Sequence, residues 1–345
     1  MSIQTAFNKF HEIIKLDYDV RSELKEKRDL LVSILTNSGR LPGFSIINQG
    51  SYSMYIGSEP VEGREYDIDV GLKFSASTSD FTPMELKNII HDILKDHTEY
   101  GADIKKPCVT ITYKKDGEAS YHIDLVVYTY EDKDNHDSQI YLAHGKDSTP
   151  EQIFWEKSDP KGLVDYINNA VAVEHRDQYR RIIRYFKRWK NVKFDCDGHA
   201  EPPSIGITLI AADYFIEYSV GDGYDDLNAF LALAKNMKNL FTYSSISDNG
   251  RYLYRIVYPM PNTLSFGNDT DAFKKMTDSQ MTDFKDKLEK LIRDIEAVKT
   301  EVDEVEQCRK LSRIFGDDFP VPEAKDVSKK QKNYIPSSSA SGYIL

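Results

Sequence analysis

The chain has 345 residues, with 45 Lys and Arg against 56 Asp and Glu, a formal net charge of −11, and 40% hydrophobic residues. That acidity excludes a protein that coats nucleic acid through bulk charge, because each phosphate contact needs a cationic side chain. It leaves room for a local basic site for a small polyphosphate. Three dispersed cysteines, Cys108, Cys196 and Cys308, form no CxxC pair, which excludes a disulfide framework or zinc ribbon, and no apolar run approaches the roughly 20 residues that span a bilayer. The N-terminal stretch MSIQTAFNKFHEII does not read as a signal peptide, so the expected location is the cytoplasm.

Phe7, Phe10, Ile13 and Ile14 recur at helical spacing. A second stripe, Leu24, Leu30, Leu31, Ile34 and Leu35, runs up to Gly39. They predict two helices, the second capped near Asp17 or Asp19 and stopped by the Asn37–Gly39 turn. Strand-like runs follow at Phe44–Asn48, Tyr66–Phe74, Cys108–Lys114 and Tyr121–Tyr130, with an amphipathic helix at Pro83–Asp96 between the second and third. After about residue 165 the pattern is helical throughout: Val171–Val192, Ser204–Tyr218, Leu227–Phe241, and one long helix over Met281–Phe315 ending at Gly316. Residues 322–345, with Lys329, Lys330, Lys332 and a serine cluster, read as a mobile tail. The division is therefore a strand-containing lobe with N-terminal helices over 1–165, a helical lobe over 166–321, and the tail.

Chemistry concentrates in three segments. In Tyr66-Asp67-Ile68-Asp69-Val70, strand alternation puts Asp67 and Asp69 on one face with Gly71 and Lys73, and Ile68, Val70, Leu72 and Phe74 on the core face. Two carboxylates about 7 Å apart on a rigid strand repel unless a cation neutralises them, and hard oxygen donors favour Mg²⁺ or Mn²⁺. In Tyr121-His122-Ile123-Asp124-Leu125-Val126-Val127, Asp124 is the one acid of an apolar run whose Ile123, Leu125 and Val127 face the core. Three such carboxylates suit two divalent ions about 3.5–4 Å apart, a geometry that activates a hydroxyl and stabilises a leaving pyrophosphate. Upstream, Gln49-Gly50-Ser51 follows a strand: Gly50 lets backbone approach phosphate, and the Ser51 hydroxyl and nearby N–H groups face an anion. His122 reads as a packing residue, and Asp124 as the group that assists deprotonation of an attacking hydroxyl.

The segments QGSYSMY, YDIDVGLKF and YHIDLVVY resemble the signature of the DNA polymerase β-type nucleotidyltransferase superfamily. More narrowly the chain resembles the bacterial cGAS/DncV-like nucleotidyltransferases (CD-NTases) of CBASS anti-phage systems, over most of residues 1–320. The resemblance implies an α+β fold: a polymerase-β-like lobe, a mixed sheet with helices, packed against a helical C-terminal lobe with the active-site cleft between them. It implies that Asp67, Asp69 and Asp124 bind two Mg²⁺ (or Mn²⁺), and that Gly50 and Ser51, with Gln49 beside them, hold the donor triphosphate. Lys187 and Ser204 are the matching candidates for its tail. ATP, GTP or other NTPs would be substrates, and the product a cyclic di- or trinucleotide messenger for a CBASS effector, with operon-encoded regulators as further partners. Nucleotidylation of a small molecule or protein, and a catalytically silent nucleotide-binding protein, are the alternative readings.

Residues 174–193 hold eight Lys and Arg against Glu174 and Asp177, a local net charge of +6. Tyr179, Ile182, Ile183, Phe186 and Trp189 form the apolar stripe, most of the cations are expected on a solvated face, and Lys187 is expected to turn toward triphosphate. Cys196 and His199 are two ligand types in a loop and do not make a metal site. Neither long DNA nor a membrane is an expected partner, and the sequence SGYIL at 341–345 does not suggest conjugation of the tail.

Overall fold

The computed structural model describes residues 2–323 except 17, 62–65, 116–117, 196–199, 263 and 265–270; for 18–21, 66–67, 114–115 and 118–120 only the backbone is described. The expected tail beyond residue 323 and the Cys196/His199 pair lie outside the described residues.

Helix α1 (Ile3–Ile14) is capped by the Ser2 hydroxyl, which accepts the Thr5 N–H, and buries Ala6, Phe7, Phe10 and Ile14 on one face. Helix α2 (Tyr18–Asn37) ends ahead of Gly39, whose φ of +64° makes the turn. Then come β1 (Phe44–Asn48), the single turn α3 (Gly50–Ser53), β2 (Tyr66–Ser77) and α4 (Pro83–Leu94), the last opened by a Thr82/Glu85 capping box with Pro83 at its start. Strands β3 (Ala102–Ile104), β4 (Val109–Lys115), β5 (Glu118–Tyr130), β6 (Ile140–His144) and β7 (Phe154–Ser158) precede α5 (Pro160–Asn168). Among the described residues β1–β7 form one mixed sheet in the order β1-β2-β5-β4-β3, with β6 on β5 and β7 on β6. β2 and β5 run parallel, and β1, β4 and β6 pair antiparallel to them. Strands β3, β6 and β7 and helix α5 are additions to the elements read from the sequence.

The C-terminal half holds α6 (Arg176–Lys193), α7 (Ser204–Tyr214), β8 (Ser219–Val220), β9 (Gly223–Tyr224), α8 (Asp226–Lys238), β10 (Thr242–Ile246), β11 (Tyr252–Arg255), α9 (Asp278–Lys299) and α10 (Glu304–Phe315). Two small hairpins, β8–β9 and β10–β11, correct the expectation of uninterrupted helix after residue 165. The expected helix over Met281–Phe315 is also two helices. The Asp303 carboxylate accepts the N–H groups of Val305 and Glu306 and so starts α10, while Val302, which keeps the apolar helical spacing of Val298 and Val305, is 94% exposed.

Two cores result. One joins α2 and α4 to a face of the sheet through Leu31, Val70, Leu72, Phe74, Ile90, Ile123 and Leu125. The other fills the helical half, and α1 belongs to it: Phe7 and Phe10 sit among Tyr185, Phe315 and Phe319 at ring-centroid distances of 5.0 to 6.1 Å. Met54 and Ile56, just after α3, reach into the same helical core.

The expected solvated face of α6 is not observed. Arg181, Arg184, Lys187, Arg188 and Lys190 are all buried, none more than 9% exposed. Buried cations need compensating acceptors, and for Arg181 these come from fully buried Asp226, which takes Nε at 2.7 Å and a second guanidinium nitrogen at 2.8 Å. Tyr185 and Gln178 donate to the same carboxylate at 3.0 and 3.2 Å. Asp226→Ala, which strands the Arg181 charge, is expected to cost about 3–5 kcal/mol of stability, read as a lower urea midpoint; an unchanged midpoint would contradict this role.

Candidate active site

The parallel pairing of β2 with β5 sets Asp69 directly beside Asp124, and Asp67 beside His122. Neighbouring strands lie about 4.8 Å apart, and matched positions project to the same side. Val70, Leu72 and Phe74 on β2, with Ile123, Leu125 and Val127 on β5, are buried in the sheet core, so the acids occupy the opposite face. Alternation places Asp67 on that face too, although its side chain lies outside the described residues. Asp124 Oδ1 accepts the Thr110 hydroxyl at 2.6 Å, from the position paired with it on β4. Cys108 Sγ lies 3.5 Å from that hydroxyl, and its thiol is pushed up to about 12, first by burial and then by the Asp124 charge.

Gly50 carries φ +69°, and a Cβ there would overlap Asp69 Oδ2. The carboxylate thus packs directly on the glycine backbone, a close approach that no other residue permits. Gln49 lines the same pocket as Asp69. Its Oε1 accepts the Tyr128 hydroxyl at 2.9 Å, and burial, followed by the charge of Asp69, raises the Tyr128 phenol above its ordinary range. Ser51 sits half-buried on α3, its carbonyl accepting the Ile56 N–H at 3.0 Å.

Helix α6 holds the chain that leaves α3. Arg184 donates to the carbonyls of Gly57 and Tyr55 at 2.8 and 2.6 Å, Lys187 to Ile56 at 2.9 Å, and Arg188 to Glu59 at 3.0 Å. Tyr55 has φ +56°, a left-handed conformation uncommon for a non-glycine residue, and the Arg180 guanidinium lies 4.7 Å from its ring centre. Burial, then the charges of Lys190 and Arg184, pulls the Lys187 ammonium down to about 7, against the opposing pull of Asp69. The lysine bonded to Ser204 is Lys190, one turn along, whose Nζ reaches Ser204 Oγ and Glu201 Oε1 at 3.0 Å each. Residues three apart share a helix face, so spacing alone makes Lys187 and Lys190 equivalent, and nothing in the sequence locates Ser204.

Among the described residues no three His, Cys, Asp or Glu side chains converge into a closed metal cage. The donor chemistry nevertheless fits a divalent cation: two oxygen-only ligands side by side across β2 and β5, with Asp67 on the same face of β2. Residues 44–128 match the family model of the nucleotidyltransferase domain of cyclic GMP-AMP synthase DncV-like proteins. Over that span the chain is similar to the DncV-like nucleotidyltransferase domain. The matched span includes Gln49, Gly50, Ser51 and all three acids, and ends before α6. A cyclic GMP-AMP synthase of Escherichia albertii is 28% identical over 179 residues, 49% of this chain and 37% of the relative. A c-di-GMP synthase of Roseivirga ehrenbergii is 22% identical over 244 residues, 62% of this chain and 61% of the relative. The chain therefore spans less than two thirds of the length of these curated relatives. Among solved structures, Vibrio cholerae DncV cyclic AMP-GMP synthase aligns with a TM-score of 0.65 at 18% identity, covering 90% of this chain and 93% of that one. The Bradyrhizobium diazoefficiens CD-NTase CdnG in complex with GTP aligns at 0.66 and 14%, covering 90% and 95%. These likenesses show the fold: the polymerase-β-like architecture of the CD-NTases extends beyond the nucleotidyltransferase domain into the helical half.

Folded Lys187 holds its proton only up to about pH 7, against 10.5 for the free side chain, so between those values the unfolded chain binds more protons. Its contribution to stability is thus present above the upper value and lost as pH falls to the lower one. The stability of Lys187→Met relative to the parent is expected to be higher at about pH 6.5 than at about pH 9.5. Urea midpoints at the two pH values check this, and a pH-independent difference would contradict it.

Proposed function

We propose that the chain is a divalent-cation-dependent nucleotidyltransferase that joins nucleoside triphosphates into a cyclic di- or trinucleotide messenger acting on a CBASS effector in anti-phage defence. The observation that carries this reading is the matched pair Asp69 and Asp124, with Gly50 packed on the Asp69 carboxylate. The relatives described above as cyclic GMP-AMP and c-di-GMP synthases, and a DncV structure holding the linear intermediate 5′ pppA(3′,5′)pG, support it.

Asp67, Asp69 and Asp124 would hold Mg²⁺ or Mn²⁺, which when bound neutralises the carboxylates and polarises phosphate oxygens. Gly50 admits the donor phosphates to the backbone, and the Ser51 hydroxyl donates to them. Ser204 and Lys190, with Lys187 behind them, supply hydrogen bonds and positive charge to the triphosphate tail from the helical side. An acceptor ribose oxygen forms a bond to the donor α-phosphorus as the bond to the β-phosphate bridging oxygen breaks. Pyrophosphate leaves, and Asp124 takes the hydroxyl proton. The linear product then turns in the cleft, and a second transfer of the same kind closes the ring. In this division residues 1–165 carry the transfer chemistry, and 166–321 the tail-binding side chains. NTPs are the direct partners, and operon-encoded proteins the regulators.

Purified protein with all four NTPs and Mg²⁺ is expected to release pyrophosphate and give a phosphatase-resistant oligonucleotide. Asp67→Asn/Asp69→Asn is expected to lower the rate by about a thousandfold or more. Linear products alone would contradict cyclisation, and turnover only with an added acceptor would point to nucleotidylation of another molecule. Lys190→Ala is expected to raise KM for NTP by about tenfold, checked by steady-state kinetics, whereas an unchanged KM would remove Lys190 from tail binding.

A further inference from the structure

On the helical half, α6, α9 and α10 enclose a second cavity of about 470 Å³, within the range of small-ligand sites. Its floor is apolar: Trp189, Leu291 and Ile314, none more than 3% exposed, line it together with Ala297. Around them stand Lys193, Lys287, Lys290, Lys310 and Arg313, against the single carboxylate Asp294.

The partners of these cations leave most of the charge standing. Lys290 pairs with Asp294 at 2.6 Å, and Lys310 with Glu301 at 2.9 Å. Lys193 Nζ donates to the Arg313 carbonyl at 2.7 Å, and Lys287 Nζ to the Lys193 carbonyl at 2.6 Å. Carbonyls satisfy the hydrogens without cancelling the charges. Lys193 records the resulting field, its ammonium held below the usual lysine range by burial and then by Lys290. A concave wall of like charge attracts anions and is relieved by them. Four of the five cations are lysines, point charges suited to phosphate oxygens, whereas planar carboxylates are matched best by arginine forks. The apolar floor calls for a ligand with a flat hydrophobic body as well as charge.

We propose that this cavity binds a nucleotide carrying two or more phosphates, its base against Trp189, Leu291 and Ile314 and its phosphates on the lysine rim, at a site separate from the catalytic cleft. The site shares α6 with Lys190 and with the contacts to residues 55–59, so its occupant touches the helix that lines the cleft. It does not depend on the catalytic reading.

The chain has two tryptophans, Trp155 and Trp189, so Trp155→Phe leaves Trp189 as the sole indole. In that full-length background, with chelator present, ATP and inorganic tripolyphosphate are titrated by fluorescence and calorimetry. The titrations are repeated with Asp69→Asn/Asp124→Asn added to disable the cleft. ATP is expected to give a saturable change in Trp189 emission that persists in the cleft-disabled chain. Lys287→Gln/Lys290→Gln is expected to weaken it by about tenfold or more. Should that pair lower the melting temperature, exposed Arg313→Gln replaces it and is expected to weaken ATP in the same direction. Binding that vanishes with the Asp substitutions and ignores the rim substitutions would overturn the proposal. Tripolyphosphate binding as tightly as ATP would also overturn it, by reducing the cavity to an unspecific anion patch.

Discussion

The arrangement rests on a row of buried cations on α6 satisfied by backbone carbonyls. Arg184, Lys187 and Arg188 leave water and in exchange hold the carbonyls of Tyr55, Ile56, Gly57 and Glu59. Charged groups in such surroundings are expensive unless well bonded, so the segment cannot drift from the helix without uncovering several charges together. That segment is the direct continuation of α3. Holding it also holds Gly50 against Asp69, and the helical half is thereby docked onto the sheet at the point where the acids project.

The lysine–serine pair follows from the same helix. Lys190 extends the row by one turn and meets Ser204 at the start of α7, while Arg181, on the far side, is anchored by Asp226 at the start of α8. One helix therefore places the glycine–serine turn, the lysine–serine pair and the helical core in fixed relation. Lys187, between these, is too deeply buried, and then too crowded by Lys190 and Arg184, to keep an ordinary ammonium pKa. Such a perturbation is common at functional sites. The domain that bears the acids matches a nucleotidyltransferase family, while the helix that supports it lies outside the matched span.

Asp69 and Asp124 could be read from the sequence because strand alternation has a period of two and each acid interrupts an apolar run, so burial of the neighbours dictates the face of the acid. Their pairing could not, since the register of two strands so distant in sequence depends on the whole sheet. The bounds of β1 and the start of α4 were legible from local signals such as Pro83 at the first helical turn. Strands β6 and β7 are short and flank a polar loop, and their periodicity is too brief to stand out. The break before α10 was hidden because Val302 continues the apolar spacing while pointing to solvent. Burial of the α6 cations was invisible for a deeper reason. Arg184, Lys187 and Arg188 are bonded by main-chain carbonyls, which every residue has, and no composition or spacing marks them.

The central claim is that α6 holds the glycine–serine turn through those carbonyls, and amide hydrogen exchange tests it most directly. The N–H groups of Met54, Tyr55 and Ile56 bond back to Gly50, Tyr52 and Ser51 within the turn. In Arg184→Gln these three amides are expected to exchange faster by about tenfold or more, while amides in the interior of β5 keep their protection. Unchanged exchange at residues 54–56, or an equal loss of protection across the sheet, would contradict the account.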